Sequence, residues 1–291
     1  RGKEPTIKEK VIAICSLRAS YNLALLLEIS NVSKSLYYYH LSSIPYLEKN
    51  KDIVSKIIEI FEKSNKTYGY RRVSAVLKKE YKTVNHKKVL KIMNLLGLKP
   101  SIKRRKKYSS YRGDVGKKFD NILSRNFKAF ERNIKWFTDV TEFKTSDHKL
   151  YFSAILDGYN QEIIGYSISR SPTLELVIES FDEALKNSGA NNFEKTILHS
   201  DQGWQYQSSI FTDKLSKLGI TQSMSRKGNC NDNGLMEGFF GLMKNEMYYN
   251  KERRSLTFND LKAEIEKYIY FYNNIRIKIG LNSCSPVEYR Y

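Results

Sequence analysis

The stretch "KWFTDVTEFKTSDHKLYFSAILDGYNQEIIGYSIS", residues 135–169, decides the fold. Its runs 135–143, 150–158 and 162–169 are rich in β-branched and aromatic residues, and the turn-prone segments "KTSDH" and "GYNQ" separate them closely enough for an antiparallel meander. Downstream the period lengthens to that of a helix over 173–188, and a short strand, "KTILHS", follows at 195–200. A helix over 208–218, a strand over 220–225 and long helices over 232–250 and 257–275 complete the pattern. Three antiparallel strands followed by alternating helices and strands predict an α/β domain, a mixed five-stranded sheet flanked by helices.

That order is the order of the ribonuclease H fold, and the sequence before residue 130 is of another kind. Residues 22–41 read as an apolar helix, a break at Ser30 to Val32 and a second helix capped by Ser33, a helix-turn-helix outline that any two packed helices can also give. Ile53, Ile57, Ile58 and Phe61 form one stripe of a helix over 51–64, and helices over 68–81 and 85–98 follow. In the last, Asn85 is the N-cap, Gly97 the stop, and Val89, Ile92, Met93 and Leu96 face inward. His86, Lys87, Lys88 and Lys91 crowd the opposite face as in a groove-reading helix, and Arg71 and Arg72 open the helix before it. A solvated basic face on a three-helix bundle gives the same pattern. Residues 101–118, with Lys103, Arg104 and Arg105 interleaved with Tyr108 and Tyr111, have no apolar period and read as a basic linker able to grip phosphates. The predicted organisation is a helical segment over 1–48, a three-helix DNA-binding domain over 49–100, a basic linker over 101–129 and the α/β domain over 130–291.

Charge follows this division. Residues 1–130 hold 30 Lys and Arg against 10 Asp and Glu, and residues 131–291 hold 20 against 21, so the net +19 of the chain lies wholly in the first part. Such a surface meets a polyanion, nucleic acid first, although a Lys-rich surface alone also produces it. The three cysteines are far apart and fit no disulfide framework, and the four scattered histidines fit no zinc site. No stretch approaches the roughly 18–20 apolar residues of a membrane span.

Three carboxylates stand out by placement. Asp139 lies among Trp136, Phe137 and Val140 in the first strand, Asp201 ends the fourth strand in "HSDQGWQY" (199–206), and Glu237 interrupts the apolar "LMEGFFGLM" (235–243). A charge in such surroundings is costly unless compensated. The first and fourth strands of the predicted sheet are neighbours, so the acids can converge and hold divalent cations; strand-end capping is the plainer role for each aspartate. Asp157 also ends a strand, His199 reads as structural, Trp136 as core, and Trp204 as either core or a stacking surface.

The text around the acids supplies an independent check. "WFTDVTEF", "HSDQGWQY" and "SMSRKGNCNDNGLMEGFFGLMKNE" (223–246) resemble the three acid motifs of the IS-three family of insertion-sequence transposases, in the retroviral-integrase superfamily. The 35 residues between Asp201 and Glu237 match the D,D(35)E spacing, and Lys244 stands seven residues after Glu237, on the same helical face, where the family has Lys or Arg. The resemblance extends from 68–100 to "FYNNIRIKIGLNSCSPVEY" at 271–289. It implies a ribonuclease H-like integrase catalytic core preceded by an all-helical helix-turn-helix region, either the second-frame product of an insertion sequence or part of a fusion. It further implies a transposase that binds terminal inverted repeats and target DNA as a dimer or higher oligomer, in the bacterial cytoplasm at the nucleoid. By this resemblance Asp139, Asp201 and Glu237 hold two Mg²⁺ ions, replaceable by Mn²⁺, for 3′-end cleavage and strand transfer, and Lys244 holds DNA phosphate. A non-catalytic end-binding repressor and a nuclease that cuts without joining are the alternatives.

Overall fold

The computed structural model describes residues 5–81, 83–100, 119–226, 230–249 and 256–290. The chain forms two compact units, Arg1–Pro100 and Ser101–Tyr291.

The first unit is helical. Helices α1 (Ile7–Leu17), α2 (Leu23–Ser30) and α3 (Lys34–Lys49) gather Val11, Ile14, Leu26, Val32 and Tyr37 into a small core. The chain breaks between α2 and α3 where Asn31 adopts φ 54°, and the Ser33 hydroxyl accepts the Leu36 N–H to start α3, as the sequence pattern predicts. Helices α4 (Lys51–Lys63), α5 (Tyr70–Glu80) and α6 (His86–Leu95) bury Ile57, Phe61, Val73, Leu77, Val89, Ile92 and Met93. The Asn85 side chain accepts the Lys87 N–H at the start of α6, and Gly97, at φ +68°, follows its end. Leu95, not Leu96, completes the buried stripe, because the helix loosens at Leu96, its C-cap.

The second unit is built on a five-stranded sheet in the order β3-β2-β1-β4-β5, with β1 Lys135–Lys144, β2 Lys149–Asp157, β3 Ile163–Ser169, β4 Ile197–Ser200 and β5 Thr221–Met224. β1 pairs antiparallel with β2 and parallel with β4, which makes the sheet mixed and puts the first and fourth strands side by side. Successive side chains of a strand point to opposite faces. Trp136 therefore packs with Ile164, Phe181, Phe211 and Leu215 under α7 (Leu174–Ser188), the short α8 (Trp204–Gln207) and α9 (Ser209–Lys217). On the other face, Phe143 meets Tyr248 and Phe152 meets Phe240, below α10 (Gly234–Met243) and α11 (Phe258–Asn274). Gly165 lets α7 lie directly on β3, since a Cβ there would stand 2.2 Å from the Ser180 carbonyl oxygen. The Asn273 side chain accepts the Ile163 N–H and donates to the Ile163 carbonyl, closing the start of edge strand β3.

Two segments depart from the sequence expectation. Residues 119–129, read as linker, pack on the sheet: Leu123 is buried and the Ile122 N–H donates to the Ser223 hydroxyl. The helix expected over 232–250 is a 3₁₀ turn over Cys230–Asn233, then α10, then a π-helical turn over Lys244–Tyr248. Tertiary anchors on Asp232, Asn233 and Glu246 override a single helical period there.

Candidate active site

Asp139 and Asp201 lie two residues beyond Phe137 and His199, the last paired couple of β1 and β4. Asp139 shares the pleat face of Phe137 and Phe143, the face covered by α10, which carries Glu237 in its first turn. The Asn233 amide donates to the Thr138 carbonyl at 3.1 Å, tying the start of α10 to β1 one residue before Asp139.

Electrostatics link these side chains. The Asp139 carboxyl is held well above the usual carboxylate range, first by burial, then by the negative charge of Asp201, with Glu237 adding to it. The Val140 N–H, donating to Asp139 Oδ1 at 2.8 Å, and the Lys244 ammonium pull the other way. The Asp201 residue keeps exposed surface at the end of β4, yet the protein packed around its carboxyl raises it, against the Gly203 N–H that donates to its Oδ1 at 2.8 Å. A Cβ at Gly203 would come within 3.0 Å of that oxygen, so glycine leaves the carboxylate room. Burial lowers the Lys244 ammonium, opposed by the charges of Asp139 and Glu142, and its Nζ lies 5.1 Å from the Phe143 ring centre. Beneath the pair, the buried Tyr206 hydroxyl meets Thr138 Oγ1 at 3.2 Å, and burial followed by the charges of Asp139 and Asp201 pushes it far up.

Among the described residues, no three His, Cys, Asp or Glu side chains stand as a group able to hold a metal ion. The donor chemistry nevertheless fits a hard divalent cation: carboxylate oxygens whose like charges raise one another are relieved by a cation of that class.

The remaining sequence candidates separate. Asp157 accepts the N–H groups of Asn133 and Tyr159, each at 2.8 Å, and so closes turns at the far end of β2. His199 is fully buried between the Ser223 and Ser225 hydroxyls, at 2.9 and 3.2 Å. Burial holds its imidazole below the ordinary value, so the folded protein resists a proton that the unfolded chain accepts. Stability is therefore unaffected above about pH 6.5 and declines as pH falls from there. In melting curves between pH 7 and 5, His199→Gln is expected to show a smaller decline than the parent protein.

Two neighbours of Glu237 were invisible to sequence reasoning. Asp232, fully buried, accepts from Arg226 Nε at 2.8 Å, Arg125 Nε at 3.0 Å and Asn121 Nδ2 at 2.9 Å, and these partners hold it far below the usual carboxylate range. With Asn233 it fixes the entry to α10; the signal was the polar "NDN" at 231–233, directly before the apolar helix. In the first unit Arg71 and Lys87 are exposed, and Lys88 is half-buried. The Arg71 and Arg72 guanidinium groups lie over the Tyr70 and Tyr68 rings at 5.8 and 5.6 Å. Lys91 is exposed on α6, and its Nζ lies 4.0 Å from the centre of the Tyr46 ring of α3, a partner distant in sequence. Lys103, Arg104 and Arg105 lie outside the described residues.

A mixed five-stranded sheet in this strand order, flanked by helices, is the fold of an integrase catalytic core. Family models agree: "Integrase core domain" models match residues 130–230 and 237–291, and an "HTH-like domain" model matches 48–106. The putative transposase InsK for insertion sequence element IS150 of Escherichia coli K12 is 44% identical over 274 residues, covering 94% of this chain and 95% of that protein. An uncharacterized transposase-like protein of Haemophilus influenzae is 50% identical over 208 residues, 71% of this chain and 93% of that one. Transposase InsF for insertion sequence IS3A of Escherichia coli K12 is 26% identical over 288 residues, 96% and 98% of the two chains. The chain belongs to the insertion-sequence transposases, in the IS-three branch of the retroviral-integrase superfamily. No helix among the described residues is long and apolar enough to cross a membrane.

Proposed function

We propose that this transposase cleaves the 3′ ends of its element and joins them to target DNA with Asp139, Asp201 and Glu237 as the acids that hold two Mg²⁺ ions, Mn²⁺ serving in their place. The observation that carries the reading is the Asp139–Asp201 pair, one in β1 and the other directly after β4, in which burial first, then the charge of Asp201 and that of Glu237, raise Asp139. When bound, such ions stabilise the attacking and leaving oxygens of an in-line phosphoryl transfer. The chain's own residues prepare the place. Gly203 and Val140 orient the two aspartates through backbone N–H groups. Asn233 and the Asp232 cluster fix the helix that carries Glu237, and Lys244 offers a cation to a phosphate beside Asp139. The helical unit, through Arg71, Arg72, Lys87, Lys88 and Lys91, and the segment with Lys103, Arg104 and Arg105 grip the terminal inverted repeats. The functional division is a helical segment over 1–48, a DNA-binding domain over 49–100, a basic linker over 101–118 and a catalytic part over 130–291 that also takes in 119–129, which pack on its sheet; a dimer or higher oligomer in the bacterial cytoplasm brings two ends together.

The test joins activity to a binding readout. A labelled duplex carrying the element's end is nicked at its 3′ end when Mg²⁺ is present, and Mg²⁺ raises the melting temperature of the protein. Asp139→Asn abolishes the nicking and the stabilisation by Mg²⁺, yet the variant melts higher than the parent without metal. The sign follows from the raised carboxyl: its contribution to stability is full when protonated and is lost as pH rises through the folded value, a loss an amide does not suffer. The gain is about 2–4 °C for each kcal/mol recovered. Nicking by Asp139→Asn, or a parent protein indifferent to Mg²⁺, would remove the reading. Binding of ends without nicking by the parent would favour the repressor alternative, and nicking without joining the nuclease.

A further inference from the structure

We propose that Trp204 is a stacking site for an unpaired nucleobase at a DNA end, an assignment that deepens the transposase reading and rests on it for the identity of the DNA. The chain has two tryptophans: Trp136 is fully buried, while Trp204 is 53% exposed. Isolated apolar side chains on a surface are ordinary, so exposure alone carries little. What distinguishes Trp204 is its mounting.

It begins α8, and the residues that follow it in this helix are all buried and bonded. Gln205 Nε2 donates to the Pro172 carbonyl at 2.9 Å, Gln207 Nε2 donates to the Gln202 carbonyl at 2.6 Å, and Gln222 Nε2 donates to the Tyr206 carbonyl at 2.6 Å. The Tyr206 ring packs edge-on against Phe211, and its hydroxyl is at Thr138, directly before Asp139 in β1. At the other end, the Gly203 N–H is on the Asp201 carboxylate. The turn is thus tied to the Asp201 carboxylate at one end and to Thr138, the neighbour of Asp139 in β1, at the other, and the one exposed member of α8 is Trp204. A flexible loop with a Trp would stack on many things; a fixed indole three residues from Asp201 presents one flat apolar face at one place.

The ligand follows from chemistry. Bases inside a duplex are stacked on each other and offer no face, whereas an unpaired base beside a cleaved phosphate does, and an aromatic platform takes any base because every base has a π-face. Stacking of this kind changes affinity by roughly 5- to 100-fold on removal of the aromatic ring.

The experiment uses the full chain in metal-free buffer, where no cleavage occurs, with a blunt duplex of the element's end and the same duplex bearing a short unpaired 3′ extension. Trp204 emission is expected to be quenched by the extended duplex and little changed by the blunt one, with the Trp136 component constant. Trp204→Ala should lose about tenfold or more in affinity for the extended duplex, bind the blunt duplex as the parent does, and keep its melting temperature; Trp204→Phe should retain most of the preference. Equal binding of the two duplexes by the parent, or an unchanged preference in Trp204→Ala, would overturn the assignment. Mg²⁺-dependent nicking of the same duplex separates the two claims: if nicking fails but the quenching and preference persist, the proposed chemistry falls and the stacking site stands. If nicking holds and Trp204→Ala has no effect, the stacking site alone is lost.

Discussion

Asp201→Asn is expected to bind the element's end with unchanged affinity and to lower Mg²⁺-dependent cleavage by at least about 1,000-fold, the upper range for loss of one preorganised contact to a developing charge. Asn keeps an Oδ1 able to accept the Gly203 N–H, so the turn into α8 and the Trp204 mounting stay in place. What it loses is the negative charge that Asp139 feels across the β1–β4 pair. In the proposed function the helical unit binds the ends, and that binding does not draw on this carboxylate. A gel-shift titration and a cleavage assay on the same protein therefore separate the two effects, and a parallel fall in both would mean that Asp201 holds the fold rather than the chemistry.

The largest expected effect on stability lies elsewhere, at Glu246→Ala. Glu246 sits in the π-helical turn that starts at Lys244, and its carboxylate receives Arg276 Nε at 2.9 Å, Arg276 Nη2 at 2.7 Å and the Tyr268 hydroxyl at 2.9 Å. The side chains of Arg276 and Glu246 are only 2% and 5% exposed, so removing the carboxylate strands a buried guanidinium. Breaking a buried pair from one side costs about 3–5 kcal/mol, which corresponds to a fall in melting temperature of roughly 6–20 °C. Adding Arg276→Met should recover much of the loss, because replacing both charges avoids leaving either unpaired. A double variant no more stable than Glu246→Ala would show that the pair matters through its shape rather than its charge.

Much of this architecture was legible in the residues. The β-rich runs in 135–169 and the helix caps Ser33 and Asn85 act over a few residues, and local physics carries them: the Ser33 hydroxyl accepts the Leu36 N–H and the Asn85 side chain the Lys87 N–H. Asp139 and Glu237 could be singled out because the chain places charges where apolar side chains would be cheaper, and Asp201 because it follows a short strand; the structure adds the charge that Asp139 feels from the other two. The illegible parts depend on partners far apart in sequence. Asp232 needs Arg125 and Asn121, Glu246 needs Arg276, and the π-helical turn after α10 has no periodic signature that would separate it from a longer helix. Lys91 shows the same limit, since its outward position in α6 was readable but the Tyr46 ring beneath it was not.

In the proposed acid set, the role given to Glu237 rests most on its neighbours: Asn233 ties its helix to the Thr138 carbonyl, and Asp139 feels its charge. The most direct measurement is strand joining: a pre-nicked element end with a 3′-hydroxyl, a supercoiled target and Mg²⁺, with Glu237→Gln beside the parent. Joined product is expected with the parent and none above background with Glu237→Gln, at equal occupancy of the end. Joined product from Glu237→Gln at a rate near that of the parent would contradict that role.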